Sequence, residues 1–345
     1  MSVSARAFTM GCAGIELTAD ERAFIKDARP WGLILFKRNV EARRQLLRLT
    51  SQFRELCGRA DAPVLIDQEG GRVQRMGPPV WRAYPPAAAY VSGSTLSGAD
   101  PGALVHLGAR LIARDLLEAG ITVDCLPVLD VPSPGSHDIV GDRAYSNEPA
   151  VVASLGRAAC EGLIRGGVLP VIKHVPGHGR AASDSHLELP RVDAPLDSLR
   201  NSDFLPFRVL AALPGIAPMA MSAHVIYSAV DPDRPATVSP VVVDKIIRGE
   251  IGFDGLLMSD DLSMKALSGS FSEKTEALFA AGLDLALHCS GDLKEAAEVA
   301  SSSPWLDGVR ASRAERALAL ISGPAEALDS VEASARLDAG LAIGA

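Results

Sequence analysis

Short apolar segments recur along the chain, and each is followed by a stretch with helical spacing. Eight of them are predicted strands: residues 8–14, 32–36, 64–67, 122–131, 169–174, 219–224, 255–260 and 283–288. Their apolar residues are continuous rather than alternating, which is typical of parallel strands buried on both faces. Strand–helix alternation indicates an α/β fold, and eight units favour a closed (β/α)8 TIM-type barrel over an open sheet.

The segments between these strands carry helix signals. Thr18, for example, is followed three residues later by Glu21, which is the pattern of a capping box at a helix start. No linker divides the chain into separate folding units. We therefore predict a single catalytic barrel over residues 1–322, followed by a C-terminal tail, residues 323–345, that could pack loosely.

Composition and charge narrow the class of protein. The 345 residues carry 34 basic and 42 acidic side chains, a formal net charge of −8, which argues against a nucleic-acid partner. No apolar run has the length of a signal peptide or a membrane span. The five cysteines are odd in number and scattered, so we expect reduced thiols and a cytoplasmic protein. We expect no cofactor and no metal, and either a monomer or a weak homodimer.

Polar side chains stand where the predicted strands end. In barrels of this kind the reactive groups lie at the C-terminal ends of strands and in the loops that follow. A single polar residue there could be a helix cap or a solvated loop residue, but a whole set indicates an active site. The set comprises Asp67, Asp130, Lys173, His174, His224, Asp260 and His288.

The segment over residues 173–190 holds three of the seven histidines, His174, His178 and His186. A metal site is one interpretation of such a cluster, but the H-E-x-x-H spacing is missing and glycines flank His178. The other interpretation is acid–base chemistry. Asp184 and His186 are two residues apart, so in extended backbone the carboxylate lies beside the imidazole and could orient it.

Two further segments supply carboxylates and arginines. Residues 255–265 end a strand with Asp260 and Asp261, which point to opposite sides, and spacing alone leaves open which of them faces the barrel mouth. Residues 67–75, DQEGGRVQR, lack the G-K-[ST] of a phosphate loop. A carboxylate with nearby arginines, including Arg143 in GDRAYS, instead suits the hydroxyls of a sugar or sugar acid.

Together the motifs DQEGGRVQR, GDRAYS, KHVPGHG, DSH, MSAHVIY and MSDDLSM resemble those of bacterial β-N-acetylhexosaminidases of glycoside hydrolase family 3. The resemblance implies a (β/α)8 barrel that hydrolyses terminal β-linked N-acetylglucosamine with retention of configuration. It implies that Asp260 is the nucleophile, His186 the general acid/base and Asp184 the residue that orients His186. The residues implied to bind the sugar are Asp67, Arg75, Arg143, Lys173 and His174.

The resemblance also implies a role in cell-wall recycling, with 1,6-anhydro-muropeptides as substrates. Val175 departs from the family pattern, because an aromatic residue is usual at that position. Several alternatives stay open: a broader β-glycosidase, a glycoside phosphorylase, a hexosaminidase that uses the substrate acetamide as nucleophile, and a non-catalytic sugar-binding barrel. Lys173 would also suit a Schiff-base aldolase, and the histidines a metal-dependent hydrolase.

Overall fold

The computed structural model describes residues 4–133, 135, 138–181 and 189–341. Within them, eight parallel strands form a closed barrel in which each strand pairs with the next along the chain and the last returns to the first. They are β1 (Arg6–Gly11), β2 (Pro30–Leu35), β3 (Val64–Ile66), β4 (Val123–Asp124), β5 (Leu169–Val175), β6 (Met219–Ser222), β7 (Leu256–Asp261) and β8 (Leu285–His288). The predicted single-domain (β/α)8 barrel is confirmed.

Helices surround this barrel. They are α1 (Ala19–Ala28), α2 (Arg43–Cys57), α3 (Ala87–Ser97), α4 (Pro101–Glu118), α5 (Pro149–Arg165), α6 (Leu196–Asn201), α7 (Leu205–Ala211), a π-helix (Val242–Glu250), α8 (Phe271–Ala281), α9 (Leu293–Ser302), α10 (Gly308–Ala319) and α11 (Ser330–Gly340). Among the described residues, none of these helices combines the length and apolarity needed to cross a bilayer.

Side chains alternate between the inside and the outside of the barrel along each strand. Ile34 and Leu65 belong to the apolar cluster within the barrel, whereas their neighbours Leu33, Leu35 and Val64 belong to the larger cluster under the helices. This alternation is the two-residue period of a β-strand. It follows that a residue two positions beyond an interior side chain points into the mouth of the barrel.

The predicted capping box of α1 is present. The Thr18 hydroxyl accepts the Glu21 backbone N–H at 3.2 Å, and the Glu21 carboxylate accepts the Thr18 backbone N–H at 2.7 Å. The two bonds satisfy backbone donors that a helix start leaves without partners. Local sequence therefore fixes where the chain turns away from β1 into its first helix.

The fourth strand is shorter than predicted. The apolar run over residues 122–131 gives a strand of two residues, Val123–Asp124, followed by irregular backbone with one isolated bridge from Val128 to Lys173. Pro127 interrupts the run, and a proline has no N–H to donate to a neighbouring strand. Beyond β4 the chain still runs beside β5, where the Leu129 N–H donates to the Lys173 carbonyl oxygen at 2.7 Å, and this path brings Asp130 next to His174.

Within the predicted C-terminal tail, the described residues include the helix α11. In α11 the side chains of Ala333 and Leu337 are buried, and Gly340 lies so close to α4 that a Cβ atom there would be 2.3 Å from Leu104. Asp338 also pairs with Arg82. This helix packs on α3 and α4 through Ala333, Leu337 and Gly340, whose spacing places them on one face.

Candidate active site

A cavity of about 310 Å³ opens at the C-terminal end of the barrel. Three of its charged lining residues, Asp67, Lys173 and Asp260, lie at the ends of β3, β5 and β7. Each is two positions beyond an apolar residue of the barrel interior, and those residues are Leu65, Val171 and Met258. The two-residue period of the strands therefore directs three charged side chains, from three different strands, into the same cavity.

Two carboxylates and three cations form a connected network on one side of this cavity. The Lys173 Nζ atom lies 2.9 Å from Asp67 Oδ1 and 2.6 Å from Glu69 Oε1. Arg75 donates to Asp67 at 2.9 Å, and Arg143 donates to both oxygens of Glu69 at 2.8 Å. The bidentate Arg143–Glu69 contact fixes direction as well as distance.

The hairpin after β3 carries Glu69 to this network. Residues Gln68–Gly70 pair antiparallel with Val73–Gln74, and the turn between them passes through Gly70 with φ 98°. A Cβ atom on Gly70 would lie 2.2 Å from the Pro85 carbonyl oxygen. Glycine is therefore required for this turn, and the turn folds Glu69 back over Lys173.

The electrostatics of the network keep its members ionised. Burial favours the neutral acids, but the charges of Lys173 and Arg75 hold the pKa of Asp67 well below its usual range. Lys173 and Arg143 likewise lower the pKa of Glu69. The two carboxylates in turn raise the pKa of Lys173 despite its burial. A Schiff-base lysine needs a lowered pKa, so Lys173 is unsuited to aldolase chemistry.

The structure distinguishes Asp260 from Asp261. The Asp261 carboxylate holds the turn after β7, since its Oδ1 atom accepts the backbone N–H groups of Ser263 and Cys289, each at 3.0 Å. Among the described residues, the Asp260 carboxylate accepts the Asp261 N–H at 2.8 Å and otherwise faces the cavity. Asp260 is thus available to a ligand.

Neighbouring groups keep Asp260 ionised. Burial alone would raise its pKa, but the interactions with His174 and His224 outweigh burial and leave the pKa below its ordinary value. His224 donates from Nε2 to the Asp261 carbonyl oxygen at 3.1 Å, which also holds the end of β7 in place. A carboxylate that is ionised, directed into a cavity and lightly hydrogen-bonded can act as a nucleophile.

A further carboxylate, Asp130, lies behind His174 and does not line the cavity. It is fully buried, and its Oδ2 atom lies 2.7 Å from the Nδ1 atom of His174. Interactions with His174 and His178 lower the pKa of Asp130 although burial opposes this. Burial lowers the pKa of His178 itself to about 4. Among the described residues, no group of three or more His, Cys, Asp or Glu side chains is arranged to hold a metal ion.

Comparison with known proteins agrees with this geometry. Residues 3–312 match the family described as glycosyl hydrolase family 3 N terminal domain. The curated β-hexosaminidase of Alkalilimnicola ehrlichii is 40% identical over 288 residues, 81% of this chain and 80% of that protein. A second, from Methylococcus capsulatus, is 39% identical over 300 residues, 84% of this chain and 86% of that protein.

The chain belongs to glycoside hydrolase family 3. It is accordingly a glycoside hydrolase. The crystal structure of NagZ from Neisseria gonorrhoeae in complex with N-trifluoroacetyl-D-glucosamine is 31% identical with a TM-score of 0.86, and the match covers 99% of both chains. The family 3 β-N-acetylglucosaminidase of Paenibacillus sp. str. FPU-7 is 28% identical with a TM-score of 0.82, and the match covers 96% of this chain and 66% of that one.

Six of the eight residues that were given a catalytic or sugar-binding role from the sequence of this family 3 chain line the same cavity, and those roles remain predictions. They are Asp67, Arg75, Arg143, Lys173, His174 and Asp260. Asp184 and His186, the predicted acid/base pair, lie outside the described residues. Val175, at the position where family 3 usually has an aromatic residue, is fully buried.

Glu69 is a member of the network that was not predicted from the sequence. Its position two residues after Asp67 places it on the same side of an extended chain, a signal that could have indicated it. Asp130 was recognised as a residue at a strand end, but its pairing with His174 was not foreseen. That pairing depends on the irregular path after β4, which no local pattern specifies.

Proposed function

We propose that the chain is a retaining exo-β-N-acetylglucosaminidase that removes terminal β-linked N-acetylglucosamine from peptidoglycan fragments, 1,6-anhydro-muropeptides, in the cytoplasm. The observation that carries the proposal is the Asp260 carboxylate, directed into a cavity whose other wall is the network of Asp67, Glu69 and their cations. A nucleophile and a set of fixed polar groups for hydroxyls thus face the same space.

The chemistry proposed is a double displacement. Asp260 attacks the anomeric carbon while an acid protonates the leaving oxygen, and the covalent glycosyl-enzyme is then hydrolysed by water. The lowered pKa of Asp260 suits a nucleophile rather than a proton donor. His186, oriented by Asp184, is proposed as the acid that becomes the base in the second step.

In the proposed sugar site, the Asp67 carboxylate is already paired with cations of the protein. Asp67 accepts hydrogen bonds from Lys173 and Arg75, and its remaining lone pairs suit two adjacent hydroxyls of a sugar. Because these partners hold the carboxylate in place, a sugar meets groups that need no reorganisation. The cavity, about 310 Å³, is small for a ligand site, which favours one terminal sugar over an internal unit of a longer chain.

Support for an N-acylated sugar comes from a relative. The Neisseria gonorrhoeae protein was crystallised with N-trifluoroacetyl-D-glucosamine, and it matches this chain over almost its whole length. The curated β-hexosaminidases share 39–40% of their aligned residues with this chain. The muropeptide substrate and the cytoplasmic role rest on the resemblance of the motifs.

The proposal is tested with a chromogenic N-acetyl-β-glucosaminide and the matching β-glucoside. The wild type should prefer the first, and NMR should show that the β-anomer of the product forms first. Asp260→Ala should lose at least about 10³-fold in kcat, since the covalent intermediate cannot form. His186→Ala should lose less on a substrate with a good leaving group. Initial release of the α-anomer, or an Asp260→Ala variant with near-normal kcat, would overturn the mechanism.

A further inference from the structure

His174 is held by a carboxylate that cannot itself reach the cavity. Asp130 is fully buried, and its Oδ2 atom lies 2.7 Å from the His174 Nδ1 atom. Its Oδ1 atom accepts the backbone N–H of His174 at 3.1 Å and that of His178 at 2.7 Å. The Asp130 side chain is thus hydrogen-bonded to the end of β5, to the following turn and to the imidazole ring.

These contacts define which ring nitrogen is left for a ligand. An ionised carboxylate is only an acceptor, so the Nδ1 atom that touches it must carry a proton. Nε2, on the other side of the ring, is then the nitrogen available to the cavity that His174 lines with Asp260. In the Nδ1–H tautomer Nε2 accepts a hydrogen bond, and in the imidazolium form it donates one.

We propose that Asp130 is a positioning residue that keeps Nδ1 of His174 protonated and presents Nε2 to the sugar beside Asp260. Asp130 acts through the imidazole and touches no substrate atom. Of the two measurements that test this, the kinetic one rests on the proposed glycosidase function, whereas the spectroscopic one does not.

Asp130→Asn is the informative variant. The two backbone N–H groups need an acceptor, so the amide oxygen takes the place of Oδ1 and its NH2 group faces the ring. The NH2 group donates to Nδ1, which must then be the unprotonated nitrogen. The substitution keeps the size of the side chain and moves the imidazole proton to Nε2.

The first measurement is the ¹⁵N spectrum of the seven histidine side chains, with His174 assigned by its loss in His174→Gln. In the wild type, Nδ1 of His174 should be protonated, and in Asp130→Asn the ring should show the neutral Nε2–H form. A wild-type His174 with an unprotonated Nδ1 overturns the proposal, whatever the enzyme turns over. Because the wild-type spectrum decides this alone, the test survives a variant that fails to fold.

The second measurement is kinetic. Asp130→Asn should lower kcat/KM for a chromogenic N-acetyl-β-glucosaminide by about 10- to 100-fold, the effect of losing one hydrogen bond to a charged group. Asp124→Asn is the matched control, because Asp124 is equally buried in the barrel and accepts the Gln68 N–H at 3.0 Å without an imidazole partner. This control should keep both the wild-type His174 spectrum and near-normal kinetics. Unchanged kinetics in a folded Asp130→Asn with the altered tautomer would overturn the positioning role.

Discussion

Both ends of the barrel hold clusters of acidic and basic side chains, but the carboxylates at the two ends differ in how many protein donors they accept. At the base, where β8 begins, the buried Asp284 carboxylate accepts Arg248 at 2.7 Å, Arg313 at 3.1 Å and the Leu257 backbone N–H at 2.9 Å. At the mouth, the Asp260 carboxylate accepts one backbone N–H within the described residues and otherwise faces the cavity.

The difference shows how position in this fold separates stability from chemistry. At the base, the acceptor atoms of Asp284 are taken up by protein donors, so the cluster joins β7, β8 and α10. At the mouth, the pairs around Lys173 fix the charges and leave one side open to a ligand. Residues at the C-terminal ends of barrel strands can bind and react, whereas the opposite end contributes to folding.

Among variants that compare the two ends of the barrel, the largest effect is expected from Lys173→Met, which removes the cation shared by Asp67 and Glu69. The negative charges of both carboxylates at the sugar site would then be less well neutralised, so kcat/KM should fall by about 10³-fold. The free energy of unfolding should also fall, by less than the equivalent of that change in kcat/KM. Steady-state kinetics and urea denaturation measure the two effects. Lys294→Met, the same change on an exposed residue at the start of α9, should leave kcat/KM unaltered. Activity of Lys173→Met within about threefold of wild type would contradict the network's role.

Asp284→Ala should produce the opposite pattern. The half-buried guanidinium groups of Arg248 and Arg313 lose their buried carboxylate partner, so the free energy of unfolding should fall by about 3 kcal/mol, while kcat and KM of the folded enzyme stay near wild type. Urea denaturation and kinetics at 25 °C provide the measurement. Asp254, which pairs with Arg313 and Arg316 but is largely exposed, is the control, and Asp254→Ala should cost at most about 1 kcal/mol. A catalytic defect in Asp284→Ala would undermine the distinction between the two ends.

Glu69→Gln should have an intermediate effect at the mouth. The amide keeps the shape of the side chain but offers Arg143 and Lys173 a neutral partner, so we expect KM to rise about 10-fold and kcat to fall less. Kinetics on the chromogenic substrate test this expectation. Glu161→Gln, which breaks an exposed ion pair with Arg157, should change neither constant. A fall in kcat alone would instead place Glu69 in the chemical step.

The smallest effect concerns Asp203, which accepts Arg180 at 2.6 Å below the turn after β5. Burial raises the pKa of Asp203 to about 6, against 3.8 for the free group, so the folded state binds the extra proton. This group therefore adds stability at low pH that disappears as the pH rises through 6. When the pH is raised from about 5 to about 7.5, the free energy of unfolding of the wild type should fall because Asp203 loses its proton. In Asp203→Asn this fall should be smaller by about 1 kcal/mol. Parallel pH profiles of the two proteins would show that Asp203 does not titrate in this range.

Much of the architecture was predictable because the strand pattern is local. The apolar segments before Asp67, Lys173 and Asp260 end where the strands end, which placed the charges at one end of the barrel. The choice between Asp260 and Asp261 was harder. Because Met258 faces the barrel interior, alternation along the strand would point Asp260 inward as well. The β7–β8 pairing changes register between Met258 and Asp261, however, so alternation alone does not decide between the two carboxylates.

Other features depend on contacts between distant segments. Asp130 meets His174 because the irregular chain after β4 continues beside β5, where Leu129 donates to the Lys173 carbonyl oxygen. The packing of α11 on α4 depends on the close approach of Gly340 to Leu104, which composition does not reveal. Such contacts join residues far apart in the sequence, and patterns with a period of two or 3.6 residues carry no information about them.

Closure of the barrel sets an order of events during synthesis. Phe8 lies opposite Ala286 in the pairing of β1 with β8, so β1 keeps an unpaired edge until β8 has left the ribosome. The helix α11 must likewise be synthesised before it can cover α3 and α4. Until β8 has been made, the nascent chain therefore carries an open strand edge at β1, the kind of edge to which another chain can add a strand.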